Sequence, residues 1–514
     1  MKVNKWPNYL YQKVLHEEKG IESAVYSNKG GSYDKKSFML LITCCLALSL
    51  FSSCATLYPR VDSQGQPQYK YTYQVPEKTG DGWETDSLQS QGLNSGKIEA
   101  LITGILTKRF ENIHSIVLVK NGKLVLEEYF YGYNRNKQHM LRSATKSVTS
   151  ILVGIAKDMN MIGRIDQKIQ DFFPEYSNID WQDPRSSITL KHVLTMSAGL
   201  DWNEWTYSDS DSRSSIYGMV QSNDWMKFVL QRKMVQLPGE KFNYSSGLSL
   251  ALGGVLRNKT GVPANEFAEK YLFGPLGISD FSWQKGPKNM VFTSGGEKGL
   301  WLRPRDMAKI GLLMLQKGTW NGREIVSHGW VEESTRPHVN AFFAGSEYGY
   351  QWWCGEKVVG DSIINLFYAA GHGGQYIFVC PSLDLVAVFT SKVYGNPLGV
   401  VRPQVIMAEH ILPAIVPLSV LEKKIGVEPE STHAFTGTYE CSVPRVKLKI
   451  YKENTHLYCR VYFKKAKLTQ LSKNQFSAAM KDIGTVRLTF SSDKDGRLDK
   501  VIAKIGFGIL EFNR

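Results

Sequence analysis

The sequence predicts an α+β protein: one sheet assembled from strands at both ends of a large domain, with a long helical insertion between them and a small all-β domain after it. Three observations carry this. An alternating apolar pair of segments around Asn121-Gly122 reads as a β-hairpin near the start of the domain. Helical and loop patterns fill residues from about 150 to 340, and strand patterns return at Tyr376–Val379 and Leu385–Thr390. From Phe435 onward, short β-branched and aromatic runs alternate with turn signals such as Lys452-Glu-Asn454 and Ser492-Asp-Lys-Asp-Gly496.

Residues 1–34 are polar and patternless and predict no fold. Lys35-Lys36 then precede an apolar run from Phe38 to Phe51 and the small residues Ser52-Ser53-Cys54. A basic flank, a short apolar core and small residues before a cleavage point describe a secretory signal, and the run is short for a membrane-spanning helix. Ending on cysteine, residues 35–53 resemble a bacterial lipoprotein signal, which implies that Cys54 is lipidated as the first residue of the mature chain. Phe51 stands where such signals usually carry leucine. The expected location is the cell envelope of a Gram-negative-type bacterium, as a membrane-anchored lipoprotein facing the periplasm or outside. Residues 54–80 read as a tether.

The large domain is expected over 81–415. It opens with an amphipathic helix over Gly96–Arg109, then Ile116–Val119, the turn Lys120-Asn121-Gly122-Lys123, and Leu124–Leu126. A helix follows from Ser143, with Val148, Ile151, Leu152 and Ile155 at helical spacing. Asp306–Leu315 predicts another, and one around Val401–Leu412 is expected to end at Pro413. A linker over 416–430 leads to the β domain at 431–514.

The 514 residues carry 42% hydrophobic and 12% aromatic side chains, which suits a large globular protein and excludes a disordered chain. Net charge is +14, but residues 431–514 hold sixteen Lys/Arg against seven Asp/Glu. The basic character therefore belongs to the tail, either as a possible contact for an anionic surface or as a solvated face of the β domain. No nucleic-acid partner is expected. Seven cysteines form no C-x-x-C pair and no zinc-spaced Cys/His cluster, so neither a metal nor any other cofactor is predicted. Cys380 reads as a small core residue, and a Cys441–Cys459 bridge is conceivable without being demanded by the spacing.

The chemistry gathers in three motifs. Ser143-Ala-Thr-Lys146 places a hydroxyl and an amine one helical turn apart on one face. Serine is a weak nucleophile until a base takes its proton, and a desolvated lysine can be that base. In Leu237-Pro-Gly-Glu-Lys-Phe-Asn-Tyr244-Ser245-Ser246, a Pro-Gly turn delivers a phenol able to share a proton with them. Ala369-Ala-Gly-His372-Gly373-Gly374-Gln375 runs into an apolar strand; its glycines allow close approach to the backbone, and the Gln375 N–H can complete an oxyanion hole with that of Ser143.

The order S-x-x-K, Tyr-Ser-Ser, His-Gly-Gly resembles the serine β-lactamase-related family of class C β-lactamases, DD-peptidases, esterases and 6-aminohexanoate-dimer hydrolases. The resemblance runs from Asp81-Gly-Trp83 to about 415, through Leu194–Leu200, Gly274–Ile278, Leu302–Met307 and Tyr348–Trp353. It implies a β-lactamase/transpeptidase-like antiparallel sheet flanked by helices, with an all-helical lobe and the site between them. It also implies Ser143 as acylated nucleophile, Lys146 and Tyr244 as general base, Ser143 and Gln375 as oxyanion donors, and His372, Gly373, Gly374 and Ser246 at the substrate. Tyr207, in the Trp-x-Glu-like stretch after Ser-Ala-Gly-Leu, is expected over the substrate. Ser246 stands where many relatives have asparagine and His372 where β-lactamases have lysine, which favours an esterase or amidase acting on a small ester, amide or peptide-like substrate. A cell-wall DD-peptidase or β-lactamase is the rival enzyme, and an inactive binding protein of the same fold the rival class.

Overall fold

The computed structural model describes residues 58–514 except 205, 208–210, 297–298, 342–345, 360–361, 395–401, 416–434, 442–445, 454–455, 462–463, 473, 481–483, 493–497 and 506–507. Cys54, the expected signal and the expected linker lie outside the described residues.

The central sheet has eight antiparallel strands: β1 (Ile113–Lys120), β2 (Lys123–Tyr129), β3 (Val339–Asn340), β4 (Ser346–Tyr348), β5 (Trp353–Val359), β6 (Ser362–Gly371), β7 (Gln375–Cys380) and β8 (Leu385–Ser391). Their order is β2-β1-β8-β7-β6-β5-β4-β3, so the N-terminal hairpin docks on the last strand of the domain, with Lys120 opposite Leu385 and Ser115 opposite Thr390. That is the sheet built from both ends. Asn121 (φ 51°) and Gly122 (φ 76°) both have positive φ, the geometry of a tight hairpin turn matched to strand twist.

Four helices matter for the site and the sheet: α1 (Ser95–Leu106), α2 (Thr145–Asp158), α3 (Ser246–Thr260) and α4 (Pro304–Leu315). Asn94 caps α1 by accepting from the Lys97 N–H, and the helix stops at Leu106, three residues short of the expected Arg109. Proline starts α4, where its missing N–H leaves no helical bond unmade. One face of the sheet packs with α1 and the C-terminal helical segment, burying Ile98, Leu101, Ile105, Phe378, Phe389 and Ile411. The other face joins a larger core of Val148, Ile151, Leu152, Leu250, Leu252 and Met307, which spans α2, α3 and α4. Each such fully buried aliphatic side chain stabilises the fold by roughly 1.5–3 kcal/mol.

The helix around Val401–Leu412 differs from expectation. It runs from Arg402 through a π turn at Met407–Ile411 and continues over Leu412–Ile415, past Pro413. In a π turn each N–H reaches back five residues, so the ladder is already reorganised ahead of Pro413 and the proline's missing donor does not end the helix.

The C-terminal domain has nine antiparallel strands: β9 (Gly437–Cys441), β10 (Val446–Glu453), β11 (His456–Val461), β12 (Lys464–Lys467), β13 (Thr469–Ser472), β14 (Gln475–Met480), β15 (Gly484–Ser492), β16 (Leu498–Ile505) and β17 (Gly508–Asn513). Their order is β12-β11-β10-β9-β17-β16-β15-β14-β13. The two edge strands are joined through Leu468 alone, so the sheet has to curl back on itself into a near-barrel. Its inward side chains include Tyr439, Leu448, Ile450, Phe476, Leu488 and Phe512. Cys441 and Cys459 are both buried, and no disulfide joins them. Lys447, Lys465 and Lys500 form solvent-accessible ion pairs with Glu440, Glu453 and Glu511.

Candidate active site

Ser143 lies in a one-turn 3-10 segment, Arg142–Ala144, that leads into α2. Two close approaches fix that turn. A β-carbon on Gly371, at the end of β6, would come within 2.1 Å of the Leu141 carbonyl oxygen. Gly295 (φ 85°) lies so near that its β-carbon would meet the Arg142 carbonyl oxygen at 1.8 Å and the Ser143 nitrogen at 2.9 Å. Only glycine fits at either place. Arg142 itself has φ 51°, a strained conformation directly before the serine.

Val148, Ile151 and Leu152 draw α2 into the core and carry Lys146 inside with them, 1% exposed. Its Nζ lies 3.0 Å from Ser143 Oγ, 3.1 Å from Ser246 Oγ and 2.5 Å from the Ser294 carbonyl oxygen. A buried amine needs such partners, because an unsolvated ammonium without them is strongly disfavoured.

The second motif is a helix start. Ser245 caps α3, its hydroxyl accepting from the Leu248 N–H, so Tyr244 precedes the cap and Ser246 is the first helical residue. The stretch Met196–Trp202 cradles this segment: the Asn243 N–H donates to the Met196 carbonyl, and Asn243 Nδ2 donates to those of Leu200 and Trp202. Gln351 braces the two helices behind the site. Its carbonyl accepts from Ser147 Oγ on α2, and its Oε1 from Ser249 Oγ on α3.

Tyr244 is buried, stacked on Trp353 with ring centroids 5.9 Å apart, and hydrogen-bonded to Ser143. Lys146 Nζ stands 4.9 Å over its ring. Burial, and after it the charge of Glu204, push the phenol's pKa well up, while the Ser143 hydrogen bond opposes them. At neutral pH the phenol therefore keeps its proton.

Glu204 is the residue that sequence reasoning passed over. Its Oε2 accepts from the Ser246 N–H at 2.7 Å and from Trp202 Nε1 at 2.5 Å, and its Oε1 accepts from Ser246 Oγ at 3.0 Å. It sits on the N-terminus of α3, where free N–H groups and the helix dipole favour an anion. Burial raises its carboxyl above the ordinary value, opposed by the charge of Lys146 and by the Ser246 and Trp202 donors. The signal was an acid set between two tryptophans just after the Ser-Ala-Gly-Leu turn.

The third motif lies alongside. The Gln375 side chain is buried and tied to β8: Nε2 donates to the Ser391 carbonyl at 2.6 Å, and Oε1 accepts from the Ser391 N–H at 3.1 Å. This anchors the start of β7, where the Gln375 backbone N–H lies, next to the Ser143 turn. Gly373 and Gly374 have φ of 87° and 94°, and His372 is exposed, packing edge-on against Tyr394 with centroids 5.2 Å apart. Arg142 stands over the same Tyr394 ring at 5.0 Å.

Ser143, Lys146, Tyr244 and Ser246 thus converge, and the His372–Gln375 turn flanks them. Ser246, expected at the substrate, is buried between Lys146 and Glu204. Tyr207, expected over the substrate, has its ring under the Arg213 guanidinium at 4.1 Å. Among the described residues no group of His, Cys, Asp and Glu has the arrangement of a metal site.

Residues 110–410 match the family model described as Beta-lactamase. The chain is 28% identical over 321 residues to a 6-aminohexanoate-dimer hydrolase of Paenarthrobacter ureafaciens, an alignment covering 58% of this chain and 78% of that protein. It is 23% identical over 202 residues to protein flp of Staphylococcus aureus strain COL, covering 37% of this chain and 38% of that one. Among solved structures it is similar to the octameric penicillin-binding protein homologue from Pyrococcus abyssi, with a TM-score of 0.50, 19% identity, and coverage of 82% of this chain and 100% of that one.

Proposed function

The chain belongs to the Beta-lactamase family, and on that premise we propose that it hydrolyses ester or amide bonds through an acyl-enzyme on Ser143. The observation that carries this reading is the 3.0 Å approach of Lys146 Nζ to Ser143 Oγ, with the Tyr244 phenol hydrogen-bonded to the same serine. In the proposed acylation, Ser143 Oγ attacks the carbonyl carbon and its proton passes to Lys146. The backbone N–H groups of Ser143 and Gln375 receive the oxyanion. The bond to the leaving oxygen or nitrogen then breaks, and Tyr244 supplies that atom's proton while taking one from Lys146. Water reverses the sequence: it gives a proton to the same pair, attacks the acyl carbon, and Ser143 leaves with its proton restored. The similarity to a 6-aminohexanoate-dimer hydrolase supports a small amide or ester as substrate.

The test is labelling with a serine-reactive fluorophosphonate, followed by peptide mapping, beside the rates of Ser143→Ala and Lys146→Ala on a p-nitrophenyl ester. A label on Ser143 and loss of nearly all turnover in both variants are expected, because nucleophile and base act as a unit. Full ester hydrolysis by Ser143→Ala would end the reading. Membrane anchoring through Cys54 is proposed on the pattern of residues 35–54 alone. Cys54→Ala is expected to abolish palmitate incorporation, and continued labelling of that variant would refute the anchor.

A further inference from the structure

The oxygens around Lys146 differ in what they can do. The Ser294 carbonyl, 2.5 Å from Nζ, only accepts, so the position of the amine facing it always carries a hydrogen. Ser246 Oγ, 3.1 Å from Nζ, has one hydrogen and can face the amine either as acceptor or as donor. A neutral amine has two hydrogens and one lone pair. If Ser246 donated to that lone pair, nothing would remain to take the proton of Ser143.

Glu204 decides which way Ser246 points. Its Oε2 is held by two groups that can only donate, the Ser246 N–H and Trp202 Nε1, while its Oε1 lies 3.0 Å from Ser246 Oγ. An ionised carboxylate only accepts, so the Ser246 hydrogen must go to Oε1 and Ser246 Oγ must accept from Lys146. Two positions of the amine are then committed to hydrogens, and the remaining one faces Ser143 and the phenol beside it. We propose that Glu204, acting through the Ser246 hydroxyl, sets the direction of the hydrogen bonds around Lys146 and so keeps the lone pair of its neutral form turned toward Ser143. This rests on Ser143 and Lys146 acting as nucleophile and base. Glu204 is a positioning residue: its hydrogen bonds go to Ser246 and Trp202, and it acts on Lys146 through the Ser246 hydroxyl.

When Glu204 takes up a proton the direction reverses. The carboxyl then donates to Ser246 Oγ, and Ser246 turns its own hydrogen onto the amine. The titratable groups facing Glu204 are Lys146 from α2, Tyr244 from the turn before α3, and Tyr348 from β4. Both phenols are held far above neutrality by burial, so neither takes part in a protonation change at Glu204.

Glu204→Gln is nearly isosteric and replaces an acceptor-only group by one whose amide can donate to Ser246 Oγ. Its kcat/KM for a p-nitrophenyl ester is expected to fall about a hundredfold, the scale of a general base's contribution. Removing a nearby anion also makes the Lys146 ammonium easier to deprotonate, so the acid limb of the pH profile is expected at lower pH than in the wild type. A residue needed only for packing would lower the plateau and leave the limb in place. Ser246→Ala deletes the connecting hydroxyl without crowding the site, and Glu204→Gln added to it is expected to change the rate less than threefold. A wild-type rate and limb in Glu204→Gln, or losses that multiply in the double variant, would overturn the inference. Ser143→Ala separates the two readings: if that variant is active the acyl-enzyme reading has failed, and if it is inactive while Glu204→Gln behaves as wild type, only the positioning role has failed.

Discussion

Gly371 and Leu141 are in backbone contact: a β-carbon on Gly371 would lie 2.1 Å from the Leu141 carbonyl oxygen and 3.0 Å from Arg142 Cβ. That contact seats the turn carrying Ser143 against the end of β6, four residues from the Gln375 N–H. The spacing of the Ser143 and Gln375 N–H groups, the proposed oxyanion donors, therefore depends on a missing methyl group. Gly371→Ala is expected to push the turn outward and lower kcat on a p-nitrophenyl ester by roughly tenfold to a hundredfold, the penalty for misplacing reacting groups by about 1 Å. Wild-type kcat in steady-state kinetics would show that the contact does not set the site.

Tyr244 keeps its proton at neutral pH, which suits a group that must protonate a departing atom. An alkylamine leaves an amide only when protonated, whereas p-nitrophenolate leaves unaided. Tyr244→Phe is accordingly expected to lose far more on an anilide or alkyl amide than on a p-nitrophenyl ester, within the roughly 10²–10⁴ range of general acid–base catalysis. Equal losses on both substrates, measured side by side, would remove the phenol from the leaving-group step.

Arg305 is buried between Asp81, at 2.8 Å, and Glu127, reached through two donors at 2.8 and 2.6 Å. It ties the lead-in segment at 77–81 to the edge strand β2 from the start of α4. Burial pushes the Asp81 carboxyl up, but the Arg305 hydrogen bond and charge outweigh it and hold the group below its usual value. Arg305→Ala leaves those carboxylates without their cation and is expected to destabilise the fold by about 3–5 kcal/mol. Arg305→Lys keeps the charge without the planar fork and is expected to fall between. Urea unfolding of the three proteins decides it, and a loss under about 1 kcal/mol in the alanine variant would refute a structural role.

Local features and the joining of both ends in one sheet were legible in the sequence, whereas side-chain contacts between distant segments were not, outside the three motifs that the family resemblance brings together. The Asn121-Gly122 turn, the burial of Cys380 and the shared face of Ser143 and Lys146 follow from rules acting over a few residues. Glu204 meets Ser246 across forty-two residues, and no local pattern announces such a contact. The stretch after Ser-Ala-Gly-Leu was the right neighbourhood, yet Glu204 faces the Ser246–Lys146 pair while Tyr207 turns to Arg213. Pro413 misled because the rule that proline ends a helix assumes an α ladder, and a π turn precedes it here. Arg305 read as part of a shared stretch, and only the fold shows that its partners are Asp81 and Glu127.

His372 lies at the exposed rim of the His-Gly-Gly turn, where the family resemblance implies lysine in β-lactam-recognising members. A histidine lacks lysine's fixed charge near neutral pH, and losing a charge-assisted hydrogen bond to a substrate carboxylate removes about 1.5–3 kcal/mol of recognition. Ser246 is engaged by Glu204 and Lys146 and has no amide to offer a β-lactam side chain. Short p-nitrophenyl esters are therefore expected to be hydrolysed well above background, with at most trace turnover of nitrocefin. His372→Lys is expected to raise kcat/KM for carboxylate-bearing esters relative to neutral ones, and the nearby Arg142 adds to the attraction. Nitrocefin turned over more efficiently than the ester at pH 7 would sink this preference.

His114 and His139 are buried side by side, with His114 Nδ1 3.0 Å from His139 Nε2, and Tyr133 stacks on His114. His139 belongs to the short strand His139–Met140, which leads directly into the Ser143 turn. Burial, then the neighbouring histidine and the cations Lys392 and Lys137, push His114 down to about 3. Burial, with Lys137, Arg142 and Lys392, brings His139 down to about 4. An unfolded histidine takes its proton near pH 6.5, so below that pH the unfolded chain binds protons that the folded pair refuses. The pair therefore contributes no penalty above about pH 6.5, and stability is lost as pH falls from there toward 4 and 3. For two groups the slope reaches at most about 2.7 kcal/mol per pH unit. The variant carrying both His114→Gln and His139→Gln has nothing to protonate at this place, so urea unfolding at pH 7 and pH 5 is expected to show a smaller loss for it than for the wild type. Equal losses would mean that the acid sensitivity of the fold lies elsewhere.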